Sequence, residues 1–305
     1  MNTLVFQVVA ALLSAGPPVE VENPLYKEIV KQGIAMPDGT KVVLTLPAMK
    51  AGLTAQEQAD VITRVATLSK NSEEAFLADN PGAPVAIKVR KAGTGNDFIA
   101  RTVDASFVVH AKWEVLTNKN FANRILQAKK ADDAKEGQKD AQAVSKAGTL
   151  TDVELALRKL TVRPTENPKE CFLYTTFGIM DLVEVSATRH VLVTQTPDGV
   201  IVAATIDPRF AKDKVYPNQW REITKGALGN IAFGPVQPYS GAGFYVKVTR
   251  LTKPADTLFV EYHCVYNEPQ GWFDGQNTLS AQLPKMVQYK VKEFRTKLAK
   301  EQAKP

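Results

Sequence analysis

The chain has 305 residues, of which 44% are hydrophobic and 23% charged, a composition typical of a folded globular protein and not of a disordered one. The formal net charge is +6, but residues 285–304 alone contain seven Lys or Arg and two Glu, a net charge of +5. Because the rest of the chain is nearly neutral and carries no zinc-finger, RRM or KH pattern, we expect no nucleic-acid partner.

The N-terminal segment MNTLVFQVVAALLSAGPP predicts an export signal. An apolar run from Leu4 to Leu13 is followed by small residues, which favours cleavage after Ala15 and a signal peptide over residues 1–15. Two features favour the alternative, a buried N-terminal element: no Lys or Arg precedes Lys27, and Gln7 interrupts the run. The run is too short to span a bilayer. The prediction is therefore an exported protein, periplasmic or extracellular.

Residues 16–117 predict a small domain of helices and strands. Thr54 and Glu57 have the spacing of a capping box, and apolar residues then follow at helical spacing. Residues 85–89 and 107–113 alternate between apolar and polar, as half-buried strands do.

The same region resembles exported bacterial proteins of uncharacterised function. Four segments carry the resemblance in this order: NPLYKEIVKQG, MPDGTKVVLTLPAM, GLTAQEQADVI and VDASFVVHAKWEVL. Together they cover about the first 120 residues. The resemblance implies export, and it gives neither an activity nor a catalytic residue.

Residues 118–150 predict a helix that passes into a polar linker, because their composition shifts to Ala, Lys, Asp, Glu and Gln. Residues 151–305 then predict a domain built on an antiparallel sheet. CFLYTTFGIMDLVEV is typical of a buried strand, and HVLVTQTPDGVIVAATI predicts a hairpin that turns at Pro197, Asp198 and Gly199.

The last predicted element is an amphipathic helix that begins at Ser280. Its apolar residues form one stripe, namely Leu283, Val287, Val291, Phe294 and Leu298. Burying each stabilises the fold by about 1.5–3 kcal/mol, against about 1 kcal/mol for a Lys near an anionic surface. We therefore expect the helix to pack on the sheet, and membrane-surface contact through its basic face is the less favoured alternative. The predicted fold class is α+β.

Cys171 and Cys264 lie far apart in strand-like segments, and two alternatives stay open for them. They form a disulfide, or they are two buried free thiols. The three histidines are isolated, without metal-ligand spacing, and the glycine clusters match no nucleotide-binding fingerprint. The prediction is a protein with no metal and no cofactor.

The segment VYNEPQGW is similar to the strand-end Asn-Glu-Pro of retaining glycoside hydrolases built on TIM barrels, and that resemblance implies a general acid/base role for Glu268. Such a mechanism needs a second carboxylate about 5 Å away. Only 37 residues follow Glu268, and the chain lacks the eightfold strand-helix alternation of a barrel. We therefore expect Glu268 to be a strand-end residue before a proline and assign no catalytic residue.

A binding role is predicted for the long segment 207–243 together with the loop 267–277. The candidate ligand-binding residues are Arg209, Trp220, Arg221, Trp272 and Asp274, with the tryptophans stacking on a sugar or aromatic ring and an arginine meeting an anion. The alternative is a cover over the sheet edge whose aromatic residues form a small core of their own.

The leading functional prediction is a non-catalytic binding or structural module of the cell envelope, whose partner is an envelope polymer or another exported protein. The alternative is a hydrolase acting on an envelope or polysaccharide substrate, with its site between the 207–243 and 267–277 loops. Converging carboxylates would favour the hydrolase, and loops closed over an apolar core would favour the module.

Overall fold

The computed structural model describes residues 22–96, 98–117, 146–162, 167–225, 230–270, 272 and 278–303. These residues form an α+β fold with a large antiparallel sheet and a C-terminal helix, which confirms the predicted fold class. The sheet has eleven strands, and a separate pair of short strands lies in the N-terminal region.

The first five strands in chain order are β1 (Ile34–Ala35), β2 (Lys41–Val42), β3 (Ala86–Thr94), β4 (Phe98–His110) and β5 (Lys146–Thr149). The remaining strands are β6 (Lys169–Ile179), β7 (Val183–Thr196), β8 (Gly199–Ile206), β9 (Gln219–Lys225), β10 (Ile231–Phe233), β11 (Gln237–Pro238), β12 (Gly243–Arg250) and β13 (Thr257–Pro269).

The α-helices of the described chain are α1 (Pro24–Lys31), α2 (Ala55–Leu68), α3 (Glu73–Leu77), α4 (Trp113–Thr117), α5 (Asp152–Ala156) and α6 (Thr278–Gln302). The capping box predicted for Thr54 and Glu57 is present at the start of α2, and Thr151 and Glu154 form a second one at α5. Each satisfies backbone N–H groups that the first helical turn leaves without a partner.

The sheet runs in the order β5-β6-β7-β8-β12-β13-β4-β3, and every pairing is antiparallel. β9 pairs with the beginning of β7, and β10 and β11 pair with β9. The hairpin between β7 and β8 turns at Pro197 and Asp198, as the sequence predicted.

α6 packs across one face of the sheet, which we call the α6 face. Val291, Phe294 and Leu298 are buried there in the main hydrophobic cluster together with Phe107 and Val109 of β4. The predicted C-terminal helix and its packing on the sheet are therefore confirmed. None of the helices in the described ranges combines the length and the apolarity that crossing a membrane requires.

Arg295 fixes the C-terminal half of α6 to the sheet. Its guanidinium is buried and donates hydrogen bonds to four backbone carbonyls, those of Val108 (2.9 Å), Ala83 (2.5 Å), Pro81 (3.4 Å) and Pro84 (3.4 Å). Burial lowers the pKa of Arg295 to about 10. The carbonyls accept hydrogen bonds from the guanidinium and so replace the water that burial removes from this charge.

The N-terminal segments cover the opposite face of the sheet. The Glu261 carboxylate accepts hydrogen bonds from the backbone N–H groups of Ala48 (2.6 Å) and Met49 (3.1 Å), and Lys247 Nζ donates to the Met49 carbonyl (2.6 Å). Burial raises the pKa of Glu261 and lowers that of Lys247. Strands β12 and β13 thus hold the segment that precedes α2 through two buried polar side chains.

The predicted division into domains of residues 16–117 and 151–305 differs from the structure. β4 pairs with β13 along its whole length, Phe98–His110 against Thr257–Pro269, so both parts of the chain build one sheet. Pairing between distant strands leaves no trace in the local sequence pattern, which explains the difference. Of the predicted linker 118–150, residues 146–149 form β5, and residues 118–145 lie outside the described ranges, as does the predicted signal peptide 1–15.

Candidate functional site

A cavity of about 60 Å³ lies between the α6 face of the sheet and the beginning of α6. One water needs roughly 10–15 Å³ and a cavity of about 150 Å³ holds benzene, so this cavity has room for a short hydrocarbon chain and must widen to take a ring. Its walls are mostly apolar and aromatic, and are formed by Phe177, Ile179, Arg189, Tyr239, Ala242, Gly243, Phe244, Tyr262, Cys264, Val265, Tyr266, Trp272, Leu279 and Leu283.

Strand alternation places most of these residues on one face. Tyr262, Cys264 and Tyr266 are two residues apart in β13, so all three side chains point to the α6 face. Gly243 begins β12 where its neighbours come very close, because a Cβ at this position would lie 2.8 Å from the Ala204 carbonyl oxygen. The closest contact of that Cβ would be Ile34 Cδ1 at 2.7 Å, so a side chain at Gly243 would clash with the residues that cover the opposite face of the sheet.

Aromatic side chains close the cavity on the side of β9 and β11. The rings of Tyr239 and Trp272 stack at a centroid distance of 5.7 Å, and Trp220 meets Trp272 edge-on at 5.8 Å. The Tyr239 hydroxyl donates a hydrogen bond to the Asn267 carbonyl at 3.1 Å. Pairs of this geometry contribute about 0.5–1.5 kcal/mol beyond the area that they bury.

Arg189 is the charged residue of the cavity wall. It is only 5% exposed, its Nη1 donates to the Thr175 hydroxyl at 2.5 Å, and its guanidinium lies 5.9 Å from the centre of the Phe177 ring. Burial lowers the pKa of Arg189 to about 10. No carboxylate in the described part of the chain forms an ion pair with it.

A buried cation without a counter-ion is costly. An ion removed from water loses several kcal/mol of solvation, which a partner charge or a full set of hydrogen bonds normally offsets. A guanidinium has five N–H donors, and the one acceptor that the described residues offer to Arg189 is the Thr175 hydroxyl. The remaining donors of Arg189 are available to whatever fills the cavity.

The Tyr266 hydroxyl is a second polar group on the cavity wall. It is fully buried and makes no hydrogen bond to any residue of the described ranges. Burial is the main reason that the pKa of Tyr266 is raised, so this hydroxyl stays protonated and can donate. Arg189 and Tyr266 thus both line an otherwise apolar space, and the Tyr266 hydroxyl itself is enclosed by protein atoms.

Glu268, the strand-end glutamate of the NEP segment, forms a buried ion pair with Arg101. Both side chains lie on the α6 face, next to Tyr266 in the pairing of β13 with β4. Because Arg101 already neutralises it, Glu268 is not the counter-ion of Arg189. The sequence-based expectation that Glu268 ends a strand before a proline agrees with its place in β13.

The five predicted ligand-binding residues do not lie together. Trp220 and Trp272 are buried in mutual contact at the cavity, whereas the two arginines lie on the opposite face of the sheet. Arg209 pairs with Asp207 (2.5 Å) over the Phe172 ring, and Arg221 pairs with Glu184 (2.6 Å). Asp274 lies outside the described residues.

Part of the predicted loop 207–243 is strand: β9, β10 and β11 extend the sheet beside β7. Its buried residues Trp220 and Tyr239 belong to the main core, and Phe210 lies in a separate cluster, so these aromatic residues do not form the small core of their own that the alternative interpretation expected. The prolines and glycines that predicted a loop instead separate short edge strands.

Cys171 and Cys264 are both free and buried. They lie in β6 and β13, which β7, β8 and β12 separate, a distance of roughly 19 Å along a flat sheet at about 4.8 Å per strand. A disulfide needs Cα atoms within about 7 Å. Of the two alternatives for the cysteines, the structure has the free thiols, and burial raises the pKa of each to about 12.

Among the described residues no three His, Cys, Asp or Glu side chains lie close enough together to hold a metal ion. His110 binds the Leu77 carbonyl (2.9 Å), His190 meets Glu170 (2.5 Å), and His263 meets Asp104 (2.7 Å). Each histidine therefore has a structural partner of its own.

The residue that sequence reasoning missed is Arg189. It follows Val183, Val185 and Ala187 on the buried face of β7 and precedes Val191 and Val193 on the same face. A charged residue in the core-facing register of an otherwise apolar strand is the signal that could have identified it.

Comparisons with known proteins give no functional assignment. The chain matches no protein-family model and no curated protein. Among solved structures it is similar to an uncharacterized protein from Rhizobium leguminosarum, with 10% sequence identity over 70% of this chain and 97% of that chain, at a TM-score of 0.29.

Proposed function

We propose that this protein is a non-catalytic binding module that holds a small, largely apolar ligand in the cavity beneath α6. The observation that carries the proposal is the cavity itself: aromatic walls around a space in which Arg189 and Tyr266 keep unused hydrogen-bond donors. Apolar pockets with a few convergent polar groups are the usual form of small-molecule sites.

We further propose that the module acts outside the cytoplasm, at the cell envelope. The support is the apolar run from Leu4 to Leu13 and the small residues after it. Sequencing the N-terminus of the protein recovered from the producing cell tests this, and the expected mature protein begins at Gly16. An intact Met1 on protein found outside the cytoplasm would overturn the proposed cleavage.

No observation in the described structure favours the hydrolase alternative. Three carboxylates of the two relevant segments are engaged in ion pairs: Asp207 with Arg209, Asp213 with Arg158 and Glu268 with Arg101. Paired carboxylates of this kind hold a fold together and do not face each other across a substrate, which glycoside hydrolysis requires.

Binding is tested by titrating the protein with single-ring ligands, namely benzyl alcohol, benzamide and benzoate. Trp272 lines the cavity and Trp220 packs against it, so the intrinsic fluorescence reports the occupation of the cavity. A ligand of about nine heavy atoms at roughly 0.5 kcal/mol per atom gives a Kd on the order of 1 mM or below. We expect a saturable change for at least one of the three ligands.

The matched control is a protein whose cavity is filled. Ala242→Leu adds a side chain to the cavity wall, and Leu283→Phe fills it from the side of the helix. We expect either variant to weaken binding at least tenfold. A panel in which no ligand saturates, or in which the filled variants bind as the wild type does, would overturn the proposed function.

A further inference from the structure

We infer that the ligand of the cavity is an apolar monocarboxylic acid, whose carboxylate binds Arg189 while the aromatic walls surround its hydrocarbon part. This inference rests on the proposed function and names the chemical class of the ligand. Its basis is the juxtaposition of one buried guanidinium without a counter-ion and a mostly apolar cavity of about 60 Å³.

The charge balance of the site requires one negative charge. Arg189 has no carboxylate partner among the described residues, and the nearby pair of Arg101 and Glu268 is neutral as a unit. A carboxylate would accept two hydrogen bonds from the guanidinium in the planar, bidentate arrangement that these groups favour. A neutral ligand would leave the buried cation uncompensated.

The walls select against larger anionic groups. Phe177, Phe244 and Tyr262 offer ring faces and edges, and the polar groups of the wall with unused donors are Arg189 and the Tyr266 hydroxyl. A dianionic phosphate would bring one charge that nothing in the described site neutralises, and its oxygens would lose water without gaining partners. A single carboxylate on a hydrocarbon fits both the charge and the apolar surface.

The Tyr266 hydroxyl supplies a further hydrogen bond to the ligand once its ring turns toward the cavity, because the hydroxyl is enclosed in the unliganded structure. Its donor has no partner in the described structure, and a buried hydroxyl without a partner is destabilising unless something else accepts from it. We expect its contribution to be smaller than that of Arg189, because a hydrogen bond from a charged donor is about twice as strong as a neutral one.

The experiment compares benzoate with benzamide, which have nearly the same shape and differ in charge. Calorimetric titration of the wild type is expected to give an affinity for benzoate about tenfold or more above that for benzamide. In Arg189→Met the preference is expected to disappear while benzamide binding stays within about threefold of the wild type. Tyr266→Phe is expected to lower the affinity for benzoate by about threefold to tenfold.

Arg189→Lys keeps the inference testable if Arg189→Met does not fold. It retains the charge without the planar fork, so part of the preference for benzoate should remain. Equal affinity of the wild type for benzoate and benzamide, or a preference that Arg189→Met retains, overturns the monocarboxylate inference and leaves the proposed function standing. If neither of these ligands nor benzyl alcohol binds, the proposed function fails as well.

Discussion

Arg295 and Arg189 are both buried on the α6 face of the sheet, and burial lowers the pKa of each to about 10. Their partners differ. Arg295 donates to four backbone carbonyls around the C-terminal half of α6, whereas Arg189 has one hydroxyl partner and lies beside a cavity at the beginning of the same helix. The two sites carry the same charge in a similar environment, so partners alone distinguish them.

The loop of residues 81–84 supplies most of the hydrogen-bond acceptors around Arg295. Residues 81–84 precede β3, and the carbonyls of Pro81, Ala83 and Pro84 accept hydrogen bonds from the Arg295 guanidinium. Arg189 stands in β7, where the strand ladder already satisfies the backbone. The fold therefore completes the hydrogen bonding of one arginine and leaves that of the other for a ligand.

The largest loss of stability is expected from Phe294→Asp in the C-terminal half of α6. Phe294 is 5% exposed within the main core, and burying an ionised carboxylate there costs more than about 4 kcal/mol, enough to unfold many domains. Chemical denaturation measures the free energy of unfolding. The matched control, Lys292→Gln on the exposed side of the helix, should change it by less than about 0.5 kcal/mol. An equal response of both variants would mean that α6 is not packed on the sheet.

Arg295→Met is expected to have the next largest effect on the free energy of unfolding. It tests the role of the arginine whose guanidinium donates to four backbone carbonyls. It leaves the carbonyls of Ala83 and Val108 buried without their donor, so we expect the free energy of unfolding to fall by about 3 kcal/mol. Denaturant titration with an unchanged m-value checks it. A loss below about 1 kcal/mol would show that Arg295 contributes little to the stability of this end of the helix.

Ala242→Leu tests whether the empty cavity lowers the stability of the unliganded protein. Filling an apolar void adds contacts, so we expect the free energy of unfolding without ligand to rise by about 1 kcal/mol. Thermal unfolding followed by circular dichroism measures the change. A clear loss of stability would mean that the added side chain does not fit and that the cavity is narrower than described.

Arg189→Met should have the smallest effect on stability and completes the contrast with Arg295→Met. The substitution removes a buried charge that has one hydrogen bond, so we expect the free energy of unfolding without ligand to change by less than about 1 kcal/mol, or to rise. The same denaturant titration compares the two arginine variants. A loss as large as that of Arg295→Met would assign Arg189 a structural role.

Several parts of the fold were predictable because their causes are local. The capping boxes at Thr54 and Thr151, the turn before Gly199 and the apolar stripe of α6 all depend on residues within a few positions of each other. The pairing of β4 with β13 depends on residues about 160 positions apart, so the sequence was divided where the structure has one sheet.

The candidate site was only partly predictable. Trp220 and Trp272 were identified as ring-stacking residues, and the structure brings them together, although they pack on each other at the cavity. The sequence predicts anion binding by Arg209 and Arg221 because arginines in long loops often bind anions, but each has an acidic partner that the sequence does not reveal. The arginine without such a partner, Arg189, lies within a strand, where its apolar neighbours concealed it.

The most direct test of the account is a crystal structure of the protein with benzoate. The account predicts the ring among Phe177, Phe244 and Tyr262, with the carboxylate oxygens about 2.7–2.9 Å from the Arg189 guanidinium nitrogens. Density for water alone in the cavity at a saturating benzoate concentration, or a benzoate whose carboxylate points away from Arg189, would contradict it.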